Sequence, residues 1–189
     1  MKRLIIILCF FLLATTGHGQ DHTVFKGISL NNTLKSFIEK LESKGFSLDE
    51  IKNEVAVLKG DFAGVKGCTI VVYSSIKSNK VWKVAVCLPE HEWWEPLKRE
   101  YYTFKELYTE KYGEPESYEF FTSPYFEGDG NEMKALWFNK CTYMSIYETN
   151  TGSVYLNLTW RGYLSIGYED SINLNIKKKE EELVIIEDI

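Results

Sequence analysis

The feature that most constrains this chain is a series of short apolar stripes at period two, separated by turns. Trp82, Val84, Val86 and Leu88 alternate with other residues over Val81–Leu88. Val154, Leu156, Leu158 and Trp160 do so over Ser153–Arg161, and Leu164, Ile166 and Tyr168 over Tyr163–Asp170. Period two belongs to β-strands with one buried face. Further strand signals lie at Glu54–Lys59, at Cys68–Ser75, which is apolar on both faces, at Lys134–Asn139 and at Cys141–Glu148. The turn Lys77-Ser-Asn-Lys80, the turn Asn150-Thr-Gly152 and Arg161-Gly162 join neighbours by connections too short for crossovers. The strands are therefore expected to be antiparallel.

Two segments switch to helical period. Leu34, Phe37, Ile38 and Leu41 define an amphipathic helix over 33–44, with Asn31 or Asn32 as cap and Gly45 as its end. Leu97, Tyr101, Phe104 and Tyr108 mark a second over about 95–112, with Pro96 in its first turn and Gly113 at its close. Ser47-Leu-Asp-Glu50 fits a capping box and suggests one added helical turn. Residues 114–133 are broken by Pro115, Pro124, Gly128 and Gly130. The expected fold is α+β, with two helices packed on an antiparallel meander of six to eight strands. Each half holds one helix followed by a meander, so 25–90 and 91–170 are candidate pseudo-repeats within a single domain of residues 20–176. Residues 177–189 read as a charged tail around Lys177-Lys-Lys-Glu-Glu-Glu182, in which Leu183–Ile186 either docks as an edge strand or frays.

The first nineteen residues have the layout of a secretory signal peptide. Lys2 and Arg3 precede the apolar run Leu4–Leu13, and small and polar residues follow as far as Gln20. The run is shorter than the roughly 20 residues that span a bilayer. Gly17 and Gly19 suit cleavage before Gln20; an uncleaved anchor is the alternative. The expected location is extracytoplasmic, secreted or periplasmic, with no membrane insertion after cleavage. Loss of Lys2 and Arg3 takes the net charge from −5 to −7. An acidic chain lacks general attraction for phosphate backbones, so nucleic acid is not an expected partner.

Little in the composition points to catalysis. Beyond the leader only His22 and His91 remain, and no nucleophile-elbow or phosphate-binding glycine pattern accompanies them. Glu127-Gly-Asp-Gly-Asn-Glu132 holds only a fragment of a calcium loop. Neither a metal nor a cofactor is expected. Cys68, Cys87 and Cys141 match no zinc spacing. They read as buried small hydrophobes, as one disulfide plus a free thiol with Cys68 and Cys141 the candidate pair, or as a catalytic thiol.

Aromatic residues are the remaining signal: the chain has twelve tyrosines and five tryptophans. Tyr143, Tyr147, Tyr155 and Tyr163 are expected on the face opposite the buried stripes, taking Met144 and Ile146 as the inward pair of their strand. Trp93 and Trp94 are adjacent and cannot both point inward. These six residues are the candidate binding surface, suited to a protein or a glycan.

Gly27-Ile-Ser-Leu30, the Leu34–Leu41 helix and Gly45-Phe46 resemble the entry segment of small exported bacterial domains, the β-lactamase-inhibitor-protein-like group and the outer-membrane assembly lipoproteins of that shape. Lys59-Gly-Asp-Phe-Ala-Gly64 with Cys68, and Gly128-Asp-Gly-Asn-Glu132, resemble exported proteins of the same architecture. The chain lacks the lipobox of the assembly lipoproteins. The resemblance implies a binding or assembly module. The expected function is thus a non-catalytic interaction module, with a carbohydrate-binding protein and a carboxylate-based hydrolase as alternatives.

Overall fold

The structure is a computed structural model and describes residues 21–187. The expected signal segment lies outside the described residues. The chain opens with a small hairpin, β1 (Val24–Phe25) and β2 (Ile28–Ser29). Helix α1 (Leu34–Glu42) follows and buries Leu34, Phe37, Ile38 and Leu41. Its cap is Thr33, whose hydroxyl accepts from Ser36 N, rather than Asn31 or Asn32. Asn32 instead donates to Ser29 O at 2.6 Å.

Four strands then form a meander: β3 (Ser47–Lys52), β4 (Val55–Phe62), β5 (Val65–Ser74) and β6 (Val81–Cys87). Helix α2 (Trp94–Tyr112) leads into β7 (Glu116–Phe121), the short helix α3 (Glu132–Trp137), β8 (Cys141–Thr149), β9 (Gly152–Leu158) and β10 (Leu164–Asp170). The chain ends in α4 (Ser171–Glu187). One eight-stranded sheet runs β3-β4-β5-β6-β10-β9-β8-β7, antiparallel throughout. Two four-stranded meanders therefore meet edge to edge where β6 pairs with β10.

The α+β class and antiparallel sheet match the expectation, but the described residues hold four helices. Ser47–Glu50 is part of an edge strand, not a helical turn. Asn53, at φ 53°, turns the chain so that Lys52 pairs with Val55 and zips β3 onto β4. Lys134–Asn139 was expected to be a strand, yet residues through Trp137 are helical and bury Ala135 and Leu136. The expected tail is α4. Asp170 Oδ1 accepts from Asn173 N at 2.8 Å, as an N-cap does. Glu180 then accepts from the backbone N–H groups of Lys77 and Ser78 at 2.8 and 3.0 Å. The lysine–glutamate run thus winds around a docked helix, with Glu180 at the contact and Lys177 and Glu181 paired at 2.7 Å.

Helices α1 and α2 pack on one sheet face, and the core lies between. Ala56, Leu58, Ile70, Val72, Val84, Val86, Leu156, Leu164 and Ile166 supply its sheet side. Tyr101 of α2 meets Ser145 of β8 at 2.6 Å, and the hydroxyls of Tyr108 and Tyr168 are hydrogen-bonded in the interior. Two expected core tryptophans are elsewhere. Trp160 follows the end of β9 in the turn that Thr159 and Tyr163 close, and it is 61% exposed. Trp82 sits in a β-bulge: Tyr73 pairs with Lys83 but Ser74 pairs with Val81, leaving Trp82 without an opposite residue. The extra residue reverses the alternation, so Val81 takes the buried place and Trp82 turns to the other face.

Candidate functional site: the second face of the sheet

The face of the sheet away from α1 and α2 carries rows of side chains set by strand register. One row crosses six strands through Val57, Val71, Ala85, Gly167, Tyr155 and Ile146. A second runs through Thr69, Cys87, Ser165, Asn157, Met144 and Tyr118. A third includes Tyr73, Lys83 and Glu169. Most of these residues are half-buried, and Tyr118 and Phe120 on β7 are exposed.

At the centre is an aromatic cluster around one lysine. Lys83 Nζ lies 5.7 Å from the Tyr73 ring centre, 5.6 Å from Trp82 and 5.1 Å from Tyr155. It also pairs with Glu169 at 3.1 Å. Burial disfavours the charge of Lys83, but Tyr155 and Glu169 more than offset this and its pKa is raised. Burial raises the pKa of the Tyr155 phenol, with Lys83 opposing. Tyr155 lies flat across Gly167: a Cβ there would fall 2.0 Å from Tyr155 Cζ. The glycine is what lets the ring lie down on the sheet. Trp82 and Tyr73 are 5.8 Å apart and tilted by 46°, and Lys177 of α4 reaches over Trp82 at 5.3 Å.

Beside this cluster, a shallow depression of about 440 Å³ includes Val57, Thr69, Val71, Cys87 and Tyr163. The Arg161–Glu90 ion pair, at 2.6 Å, flanks it. Burial raises the Cys87 thiol, against the hydrogen bonds of Tyr163 and Ser165.

Of the four tyrosines expected here, Tyr155 and Tyr163 are on or beside this face. Tyr143 and Tyr147 are not. On β8 the buried residues are Cys141, Tyr143, Ser145 and Tyr147, while Met144 and Ile146 take the second face. Tyr143 packs edge-on against Trp94, Tyr101 and Phe121. Tyr147 donates to Lys105 O at 3.0 Å. Both are core residues beneath α2. The signal that locates them is the Asn150–Thr151 hairpin. It sets Thr149 opposite Gly152 and hence Tyr147 opposite Val154, and cross-strand partners share a face. Tyr73 and Lys83, which sequence reasoning missed, are the residues that organise the cluster.

Trp93 and Trp94 separate as expected of neighbours. Trp94 is buried, and its Nε1 has no hydrogen-bond partner among the described residues. Trp93 is 72% exposed and shares a groove of about 500 Å³ with Trp137, Glu92 and Glu95. That groove lies at the start of α2, apart from the aromatic cluster.

All three described cysteines are free. Cys68 and Cys141 stand on strands four places apart in the sheet, which is roughly 19 Å at the usual strand spacing, whereas a disulfide needs Cα atoms within about 7 Å. The expected Cys68–Cys141 pairing is therefore excluded within one chain. Burial pushes the Cys141 thiol up to about 12. Among the described residues, no group of three His, Cys, Asp or Glu side chains is arranged to hold a metal ion, and no helix is long and apolar enough to cross a membrane. Comparison with family models, curated proteins and solved structures gives no match to this chain.

Proposed function

We propose that this chain is an exported, non-catalytic interaction module that engages a protein partner through the second face of its eight-stranded sheet. The observation that carries the reading is the asymmetry of the two faces. One is sealed by α1 and α2; the other presents Val57, Val71, Tyr73, Trp82, Tyr155, Met144 and Ile146, with α4 packed on β6, β9 and β10 and its Lys177 over Trp82. Tyrosine and tryptophan offer large amphipathic contact area at low side-chain entropy cost, which suits a protein interface. The chain order, a helix followed by four strands twice over with α3 inserted in the second half, supports an origin by duplication. The charged leader and its short apolar run support export.

A glycan is the second reading, and the Trp93–Trp137 groove is what favours it. The hydrolase reading has less support. Glu100, Glu119, Glu127 and Glu169 are each held by a cationic or histidine partner.

The test is photo-crosslinking in cells that naturally make the protein. A benzophenone side chain replaces Tyr163, Met144 or Tyr73 on the second face, and Leu107 or Trp93 elsewhere. Partner adducts from the second-face positions alone support the reading. Adducts from Trp93 alone favour the groove, and adducts without regard to face argue against both.

A further inference from the structure

A separate cleft, on the helix side of the sheet, lies between the β1–β2 hairpin, the end of α2 and the β8–β9 turn. It encloses about 590 Å³, within the range of small-molecule sites, roughly 300–1,000 Å³. Its charge is unlike that of the molecule. The chain carries a net −5, yet no Asp or Glu lines this cleft, whereas Lys26 and Lys111 do.

Neither lysine is spoken for. Lys83, Lys98, Lys105, Arg161 and Lys177 each hold a carboxylate. Lys26 and Lys111 form no ion pair among the described residues. Lys26 lies 5.9 Å from the Phe62 ring centre and Lys111 4.7 Å from that of Tyr112. Behind the wall, Asp170 is fully buried, accepts from Thr23 N and Asn173 N, and lies 3.0 Å from His22 Nδ1. It forms no ion pair with Lys26 or Lys111. The walls are apolar and aromatic: Phe62, Leu107, Tyr112 and Val154, with the paired phenols of Tyr108 and Tyr168. Thr149 and Thr151 add hydroxyls.

We propose that this cleft binds a small organic anion with a flat apolar body. The body lies against the Phe62, Leu107 and Tyr112 walls, and the anionic group meets the ammonium groups of Lys26 and Lys111. Two exposed cations held over aromatic rings, with no acid of their own, supply the charge recognition. The proposal is independent of the second sheet face.

The test uses a matched pair of probes, 2-naphthoate and 2-naphthamide, which share a ring system and differ in charge. Calorimetric titration of the purified protein at low salt should show the naphthoate bound about tenfold more tightly, the effect of about 1.4 kcal/mol of charge interaction. In the Lys26→Ala/Lys111→Ala variant the naphthoate should fall to the level of the amide, while the amide is unchanged. Both lysines are exposed, so the melting temperature should stay at its original value. Equal affinity for the two probes overturns the proposal. So does naphthoate binding that survives loss of both lysines, which would put it on the aromatic sheet face, and so does failure of the naphthoate to bind at millimolar concentration.

Discussion

Replacing Tyr143 by alanine distinguishes a core residue from a surface one. Tyr143 is 3% exposed, and its ring meets Trp94 at 5.1 Å, Tyr101 at 5.5 Å, and Tyr102 and Phe121 each at 6.2 Å. Removing such a ring leaves a cavity under α2 that four other rings cannot close without leaving their own contacts. Truncation of a buried aromatic costs about 3–5 kcal/mol. At roughly 2–4 °C per kcal/mol for a domain of this length, the melting temperature should fall by about 6–20 °C. Tyr163→Ala is the control: the residue is half-buried beside the second face, and its loss should cost under about 1 kcal/mol. Urea unfolding followed by tryptophan fluorescence gives both values. A Tyr143→Ala protein within 1 kcal/mol of the parent would refute the assignment of β8. So would a Tyr163→Ala protein that is equally damaged.

Two further outcomes follow from buried polar contacts. Glu119 on β7 accepts from Tyr102 at 2.7 Å and from Lys105 at 2.5 Å; burial opposes its charge, but these partners prevail and its pKa is lowered from its ordinary 4.5. The stabilisation is therefore present above that ordinary value and is lost as pH falls through the lowered one. The stability gap between the parent and Glu119→Gln should be widest at neutral pH and should close in acid; a gap that widens in acid, measured by urea unfolding from pH 7 to pH 3, would contradict it. Asn173 is buried and donates to Leu30 O at 3.1 Å and Val81 O at 2.8 Å, so Asn173→Ala leaves carbonyls unpaired and should cost about 1–3 kcal/mol by thermal unfolding. An unchanged melting temperature would mean that α4 is not joined to the domain.

What could be read from sequence follows from where polarity contrasts are sharp. Helices α1 and α2 were legible because their apolar stripes face polar ones. The strands β9 and β10 were legible because Val154, Leu156 and Leu158, and Leu164 and Ile166, alternate with polar neighbours. On β8 the contrast is weak, since Met144 and Ile146 look more apolar than Tyr143, Ser145 and Tyr147. Hydropathy alone selects the wrong side there, because the second face is itself apolar and the buried Ser145 is satisfied by Tyr101. The hairpin register resolves it, as Tyr147 must share the face of Val154. The bulge at Trp82 has no marker in the alternation. Helix α4 was hidden for another reason: it is anchored by Asn173 and Glu180 to residues about a hundred positions away or more, and no local period reports such contacts. The lysine-centred cluster likewise joins β5, β6, β9 and β10, and only the strand order brings its members together.

The central claim is that the sheet has one sealed face and one open face, and the three thiols report on it directly. Cys68 and Cys141 point under the helices and are buried, whereas Cys87 stands half-buried on the second face. The native protein is treated with N-ethylmaleimide, quenched, unfolded and mapped by peptide mass analysis. Labelling of Cys87 alone, with Cys68 and Cys141 reacting only after unfolding, is the predicted result. Protection of Cys87 equal to that of Cys68 and Cys141 would contradict the open face.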